Sequence, residues 1–111
     1  MKLHSVSHKG VVELAIEGNV LQENVGVFKK TIADLISEGK IHIILNMGDT
    51  AYISSMCLAV LIDAKSKLSN LNGDLKIAVV NRLVRNLMEI TNLVKKIEVY
   101  DSIEAAVESF Q

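Results

Sequence analysis

Proline and tryptophan are absent from this chain of 111 residues, and cysteine occurs once, at position 57. A single cysteine excludes any disulfide within the chain. With no proline and no Gly/Ser-rich tract there is no linker to divide it, and the length suits one domain, residues 1–111, with one core. Aromatic residues are limited to Phe28, Tyr52, Tyr100 and Phe110, so Leu, Ile, Val, Ala and Met must build the interior. Neither sign of charge dominates: 12 basic residues against 13 acidic ones leave a net charge of −1. That balance argues against a nucleic-acid binder steered by phosphate charge. Apolar runs stay far below the roughly 20 residues of a membrane-spanning helix, so membrane insertion is not expected. The first residues, MKLHSVSHKG, carry no hydrophobic leader, and with the lone cysteine this sets the expectation of a reducing, cytoplasmic setting.

What is present is an apolar half of the composition arranged in alternating periods. Residues 2–7 and 11–17 alternate about His8-Lys9-Gly10, which predicts an opening hairpin with Val12, Leu14 and Ile16 on one face. Val25, Phe28, Ile32, Leu35 and Ile36 recur at helical spacing over residues 24–38, with Asn24 as N-cap and Gly39 as the left-handed closing residue. Residues 41–45 are almost continuously apolar, as in a strand covered on both faces, and Gly48-Asp49 is expected to end it. A helix over 55–71 would bury Leu58, Leu61, Ile62 and Leu68, closed by Asn72-Gly73. Residues 75–80 read as another buried strand, and Asn81 caps a helix with Val84, Leu87 and Met88 inward. A short strand at 97–100 precedes a final helix capped by Asp101, with Glu104 completing a capping box. The order ββαβαβαβα predicts an α/β fold: a mixed, mostly parallel sheet of about five strands with about four helices.

The stretch 45–62, LNMGDTAYISSMCLAVLI, carries the most chemical information. A strand, a short polar turn, two adjacent serines and an apolar helix follow without a break. The pattern sets two hydroxyls at a helix start, where unpaired N–H groups and a partial positive charge tolerate a phosphate. Taken alone, a serine pair there also reads as nothing more than a helix cap.

These residues resemble the STAS domain, the fold of bacterial anti-sigma-factor antagonists. Ile16-Glu17-Gly18-Asn19-Val20-Leu21 is similar to the family's L-x-G-x-L-D edge. Tyr52 through Ile62 follow a family variant, Y-I-S-S-A-G-L-x-V-L-L, of the strand leading into D-S-S-G-L. Asn72-Gly73-Asp74-Leu75 matches the G-G-x-L turn, and Ser102-Ile103-Glu104-Ala105-Ala106 the closing S-x-x-E-A helix. The resemblance implies a non-catalytic binding module that docks on an anti-sigma-factor serine kinase, is phosphorylated by it at Ser55, and is reset by a serine phosphatase. It further implies a partner-binding surface of Gly18, Asn19, Val20, Leu21, Ser54, Met56 and Cys57, in which Val20, Leu21 and Met56, where exposed, supply the apolar centre. The sequence departs from the pattern at three positions: Ser54 and Leu21 stand where the family has aspartate, and Cys57 where it has glycine. Loss of those carboxylates keeps a second reading open, that of a STAS docking subunit in a lipid-transport ATPase complex with no phosphate cycle.

Other polar groups suggest no further chemistry. His4, His8 and His42 lack metal-ligand spacing, so neither metal nor cofactor is expected. Cys57 reads as a small buried hydrophobe beside the turn. Arg82, Arg85, Lys95 and Lys96 read as a solvated face. No Ser–His–Asp grouping or glycine-rich phosphate loop is present, so the chain is expected not to be an enzyme.

Overall fold

A computed structural model describes residues 1–111. Its elements are β1 (Lys2–His8), β2 (Val11–Glu17), α1 (Val25–Ser37), β3 (His42–Asp49), α2 (Ser55–Asn70), β4 (Asp74–Ala78), α3 (Arg82–Ile90), a 3-10 turn (Leu93–Lys95), β5 (Val99–Tyr100) and α4 (Ile103–Ser109). The sheet runs β1-β2-β3-β4-β5, antiparallel between β1 and β2 and parallel thereafter. This is the predicted ββαβαβαβα order and mixed sheet. Lys9 and Gly10, both at positive φ, close the opening hairpin as a two-residue turn of the kind that matches strand twist.

Strand alternation sorts the interior into two layers. Leu14, Ile16, Ile43, Leu45, Met47, Leu75 and Ile77 face one side, where α1, α2 and α3 bring Phe28, Ile32, Leu61, Leu68, Val84 and Met88 into a single core. On the other side Val11, Ile44 and Ala78 meet Ala106 of α4. β3 is thus covered on both faces, as its apolar run requires. It continues to Asp49 rather than stopping before Gly48, because the pairing with β2 extends past a register shift between Ala15 and Glu17.

Helix ends explain several boundaries. α1 and α2 finish alike: Gly39 and Asn72 sit at positive φ, while Lys40 N–H bonds to Leu35 O (3.0 Å) and Gly73 N–H to Leu68 O (2.8 Å). Asn81 caps α3 as expected, its Oδ1 accepting from Val84 N–H at 2.8 Å. Three expectations are corrected. Asn24 precedes α1 but does not cap it; its Oδ1 accepts from Leu21 N–H (2.8 Å), because the chain makes an extra turn before the helix. The cap of α4 is Ser102, which accepts from Ala105 N–H (3.1 Å), and this removes Glu104 from the capping-box position; Asp101 stays outside and pairs with Arg85. In α2 the buried stripe is Cys57, Leu61, Ala64 and Leu68, so Ile62 is 40% exposed and Leu58 only half-buried.

The α4 side also holds a buried cation that periodicity did not single out. Lys76 Nζ lies 2.7 Å from Ser109 Oγ and 3.1 Å from Glu98 Oε1, and 4.3 Å from the centre of the Phe110 ring. It ties α4 to the sheet at its C-terminal turn, and cation–ring attraction adds to the ion pair. Hydrogen bonds from the Tyr100 hydroxyl and then from Lys76 hold the Glu98 carboxyl below the usual carboxylate range.

Candidate functional site

The carboxyl ends of the parallel strands converge on one rim, where ligands and partners of open α/β sheets commonly bind. Here the segment after β2 and the segment after β3 run side by side. Val20 N–H bonds to Tyr52 O (3.2 Å) and Ser54 N–H to Val20 O (2.8 Å), a short parallel bridge beyond the main sheet. This explains a difference from expectation: the bridge draws Val20 inward, and its side chain is fully buried against the core. Cys57 is fully buried as well. Neither side chain is exposed at the rim. The apolar groups at the rim are instead Met56 (48% exposed) and Tyr52 (43% exposed), with Leu21 half-buried nearby in sequence to the bridge.

Two asparagines fix the turn that delivers the serine pair. Asn19 Oδ1 accepts from Ala51 N–H (3.2 Å) and Tyr52 N–H (3.0 Å). Asn81 Nδ2 donates to Thr50 O (3.0 Å) and Ala51 O (3.2 Å). Between them the buried Thr50 Oγ1 donates to Ile16 O (3.1 Å). The turn is therefore held from β2 on one side and from the start of α3 on the other. Sequence reasoning gave Asn81 a capping role only and Asn19 a contact role only. Two residues before Asn81, the β-branched Val79 sits at φ +62, a conformation seldom adopted by such residues.

Replacing Asn81 by Asp separates its two tasks. The remaining carboxylate still caps α3, but it turns an acceptor toward the Thr50 and Ala51 carbonyls. Expected is a loss of about 1–2 kcal/mol in stability, with faster amide hydrogen exchange concentrated at 50–56 and little change within α3. Unchanged exchange at 50–56 would instead mean that Asn81 acts only as a cap.

The serines themselves differ. Ser54, extended at φ −81 and ψ 165, is the N-cap of α2, and its Oγ accepts from Cys57 N–H at 3.2 Å. Ser55 is the first helical residue; it is exposed, and its hydroxyl has no partner in the chain. The N–H groups of Ser55 and Met56 are likewise free of intrachain acceptors. No acidic residue lies in the first turn of α2. The geometry thus offers one occupied hydroxyl and one free hydroxyl at the positive end of a helix of 16 residues. Cys57 offers no nucleophile, because burial pushes its thiol up to about 12. Gly18 at φ +98 is exposed beside the first residue, where an added Cβ would come within 3.4 Å of the Met1 Cα. No group of three metal-ligating side chains is assembled, and no helix is long and apolar enough to cross a membrane.

A five-stranded mixed sheet with α1, α2 and α3 on one face, α4 on the other and a serine-bearing helix start on its rim defines the STAS class. The family model described as "STAS domain" matches residues 2–106, and the chain belongs to that family. It is 31% identical over 90 residues, 80% of each chain, to a Thermotoga neapolitana protein named "Putative anti-sigma factor antagonist TM1081 homolog". The crystal structure of TM1081 from Thermotoga maritima, which bears the same description, superposes with a TM-score of 0.92 at 27% identity, covering 96% of this chain and 92% of that one. SpoIIAA, a Bacillus cell fate determinant solved in its phosphorylated form, shares the fold at a TM-score of 0.76 and 14% identity, covering 99% of this chain and all of that one.

Proposed function

We propose that this chain is an anti-sigma-factor antagonist: a non-catalytic module that docks, unphosphorylated, on an anti-sigma-factor serine kinase and is released when that kinase phosphorylates Ser55. The observation that carries the reading is the division of labour between the serines. Ser54 is occupied as the cap of α2, while Ser55 presents a free, exposed hydroxyl on a turn clamped by Asn19 and Asn81. Similarity to proteins described as anti-sigma factor antagonists supports the partner class, and a phosphorylated form of SpoIIAA is a precedent for a phosphate on this fold. The docking surface comprises Gly18, Asn19, Leu21, Tyr52, Ser54 and Met56, with Ser55 among them. Lack of the family's aspartates at positions 21 and 54 removes negative charge from that surface, so the new phosphate charge of about −1.5 to −2 has no acidic neighbour in the first turn.

The test is a pull-down from native lysate with the tagged chain, followed by phosphorylation with the recovered kinase and mapping of the modified residue. Recovery of a small serine kinase and phosphate on Ser55, removable by a serine phosphatase, are expected. Phosphate on Ser54 would overturn the assignment. Recovery of permease and ATPase subunits without a kinase would favour a transporter docking subunit instead.

A further inference from the structure

The two edges of the sheet are unequal. β5 contributes two residues and offers almost nothing to pair with. β1 contributes seven, all paired with β2 in continuous register without a bulge, none of them buried. Its outer side faces no other element. Long exposed edges are normally blunted by proline, a bulge, central charges or a covering segment; β1 has none of these, and its one charged residue, Lys2, stands at its start.

The hydrogen-bond phase of this edge follows from the hairpin. In a two-residue turn the flanking pair, here His8 and Val11, is a bonded pair, and bonding alternates along the ladder. Lys2, His4, Val6 and His8 therefore direct their backbone groups to β2. Leu3, Ser5 and Ser7 direct theirs outward. That outward set is symmetric about Ser5.

We infer that β1 is a self-association edge, which pairs antiparallel with β1 of a second copy of this chain about a two-fold axis through Ser5. Ser5 meets Ser5 of the second copy, Leu3 meets Ser7, and Ser7 meets Leu3; each pair exchanges two backbone hydrogen bonds, so every outward group is satisfied. Side chains agree with this register. Lys2 comes opposite His8, whose Nε2 is 2.7 Å from Glu13 Oε1, so a cation meets an imidazole bound to a carboxylate. Val6, half exposed, comes opposite the His4 ring. The two-fold uses up the only long edge of each copy, so assembly closes at a dimer instead of growing into a fibre. Ser55 is not on this edge and stays open in both copies. Seven residues a side make a small interface, and the dimer is accordingly concentration-dependent.

The lone native thiol, buried Cys57, is unreactive, which permits a register test with introduced cysteines. In the proposed dimer Ser5→Cys brings two thiols together across a bonded pair, with Cα atoms about 5.5 Å apart, inside the disulfide range. Ser7→Cys leaves its two thiols four residues apart along the strand, roughly 13 Å. Under a glutathione redox buffer, Ser5→Cys should form covalent dimer at least tenfold faster than Ser7→Cys. In parallel, light scattering on the unmodified chain should rise from 12.2 kDa toward twice that mass with concentration. Ser5→Pro, which removes an outward N–H but no bond to β2, should abolish the rise while the circular dichroism spectrum is retained. Equal cross-linking of the two cysteine variants, or preferential cross-linking through position 7, overturns the register. A constant monomer mass up to millimolar protein overturns the dimer.

Discussion

Gly73→Ala is expected to destabilise the fold by about 3 kcal/mol, at the upper end of what overpacking costs, and to lower Tm by roughly 10–20 °C for a domain of this size. The cause is space and not backbone conformation. A Cβ on Gly73 would stand 2.1 Å from Ile41 O and 2.7 Å from Ile41 Cβ, distances at which backbone must move. That carbonyl is occupied: Asp74 N–H donates to it at 2.9 Å, one residue before His42 and Asp74 open the β3–β4 pairing. Gly73 N–H also closes α2 through Leu68 O. One methyl group therefore strains a helix end and a strand start together. Gly26→Ala in the same denaturation series is the control. It lies in α1 with nothing within 4 Å of its added Cβ, so removal of glycine's chain entropy should stabilise by about 0.5–1 kcal/mol. Equal effects at the two positions would refute the steric account.

Ser55→Asp is expected to weaken binding to the recovered kinase at least tenfold, about 1.4 kcal/mol, while leaving the fold as stable as the parent or more stable by up to about 1 kcal/mol. Both halves follow from position. An acidic group at the first residue of α2 meets the positive end of the helix, worth about 0.3–1 kcal/mol, and its exposure spares it desolvation. The fold thus tolerates the charge, and the docking partner bears its effect. Ser55→Ala should bind like the parent and resist phosphorylation. Ser54→Ala should show the opposite profile: loss of the cap costs about 1 kcal/mol, yet Ser55 remains a substrate. Titration calorimetry on the four proteins separates these cases, and unchanged affinity in Ser55→Asp would remove the switch.

The fold is most legible in the sequence where local periodicity and burial report the same thing. Alternation in 11–17, the apolar run of β3 and the caps at Gly39, Asn72 and Asn81 each follow from contacts a few residues away. Ile62 was misjudged because a helix face four residues wide admits two neighbouring stripes, and the sheet selected the one through Cys57 and Ala64. Asp101 and Ser102 are both good caps by composition; the chain direction after β5 decides for Ser102. The clamp on the serine turn was beyond reach, since its bonds join residues 30 or more positions apart. The exposure of Val20 was left open by the sequence for the same reason, its burial being set by pairing with Ile53. What was legible at the rim, the serine pair at a helix start, is the part that local chemistry dictates.

The isolation of Ser55 also bears on time. Its hydroxyl contacts no carboxylate or imidazole, and its neighbour Ser54 is engaged with the backbone. A phosphate monoester formed there would meet no general base and no nucleophile of this chain, and uncatalysed hydrolysis of such esters is among the slowest reactions known. Such a mark would outlast the encounter that made it. Its lifetime would be written by the abundance of a phosphatase, and the domain would act as a store of a past event whose persistence the cell can set without altering the protein.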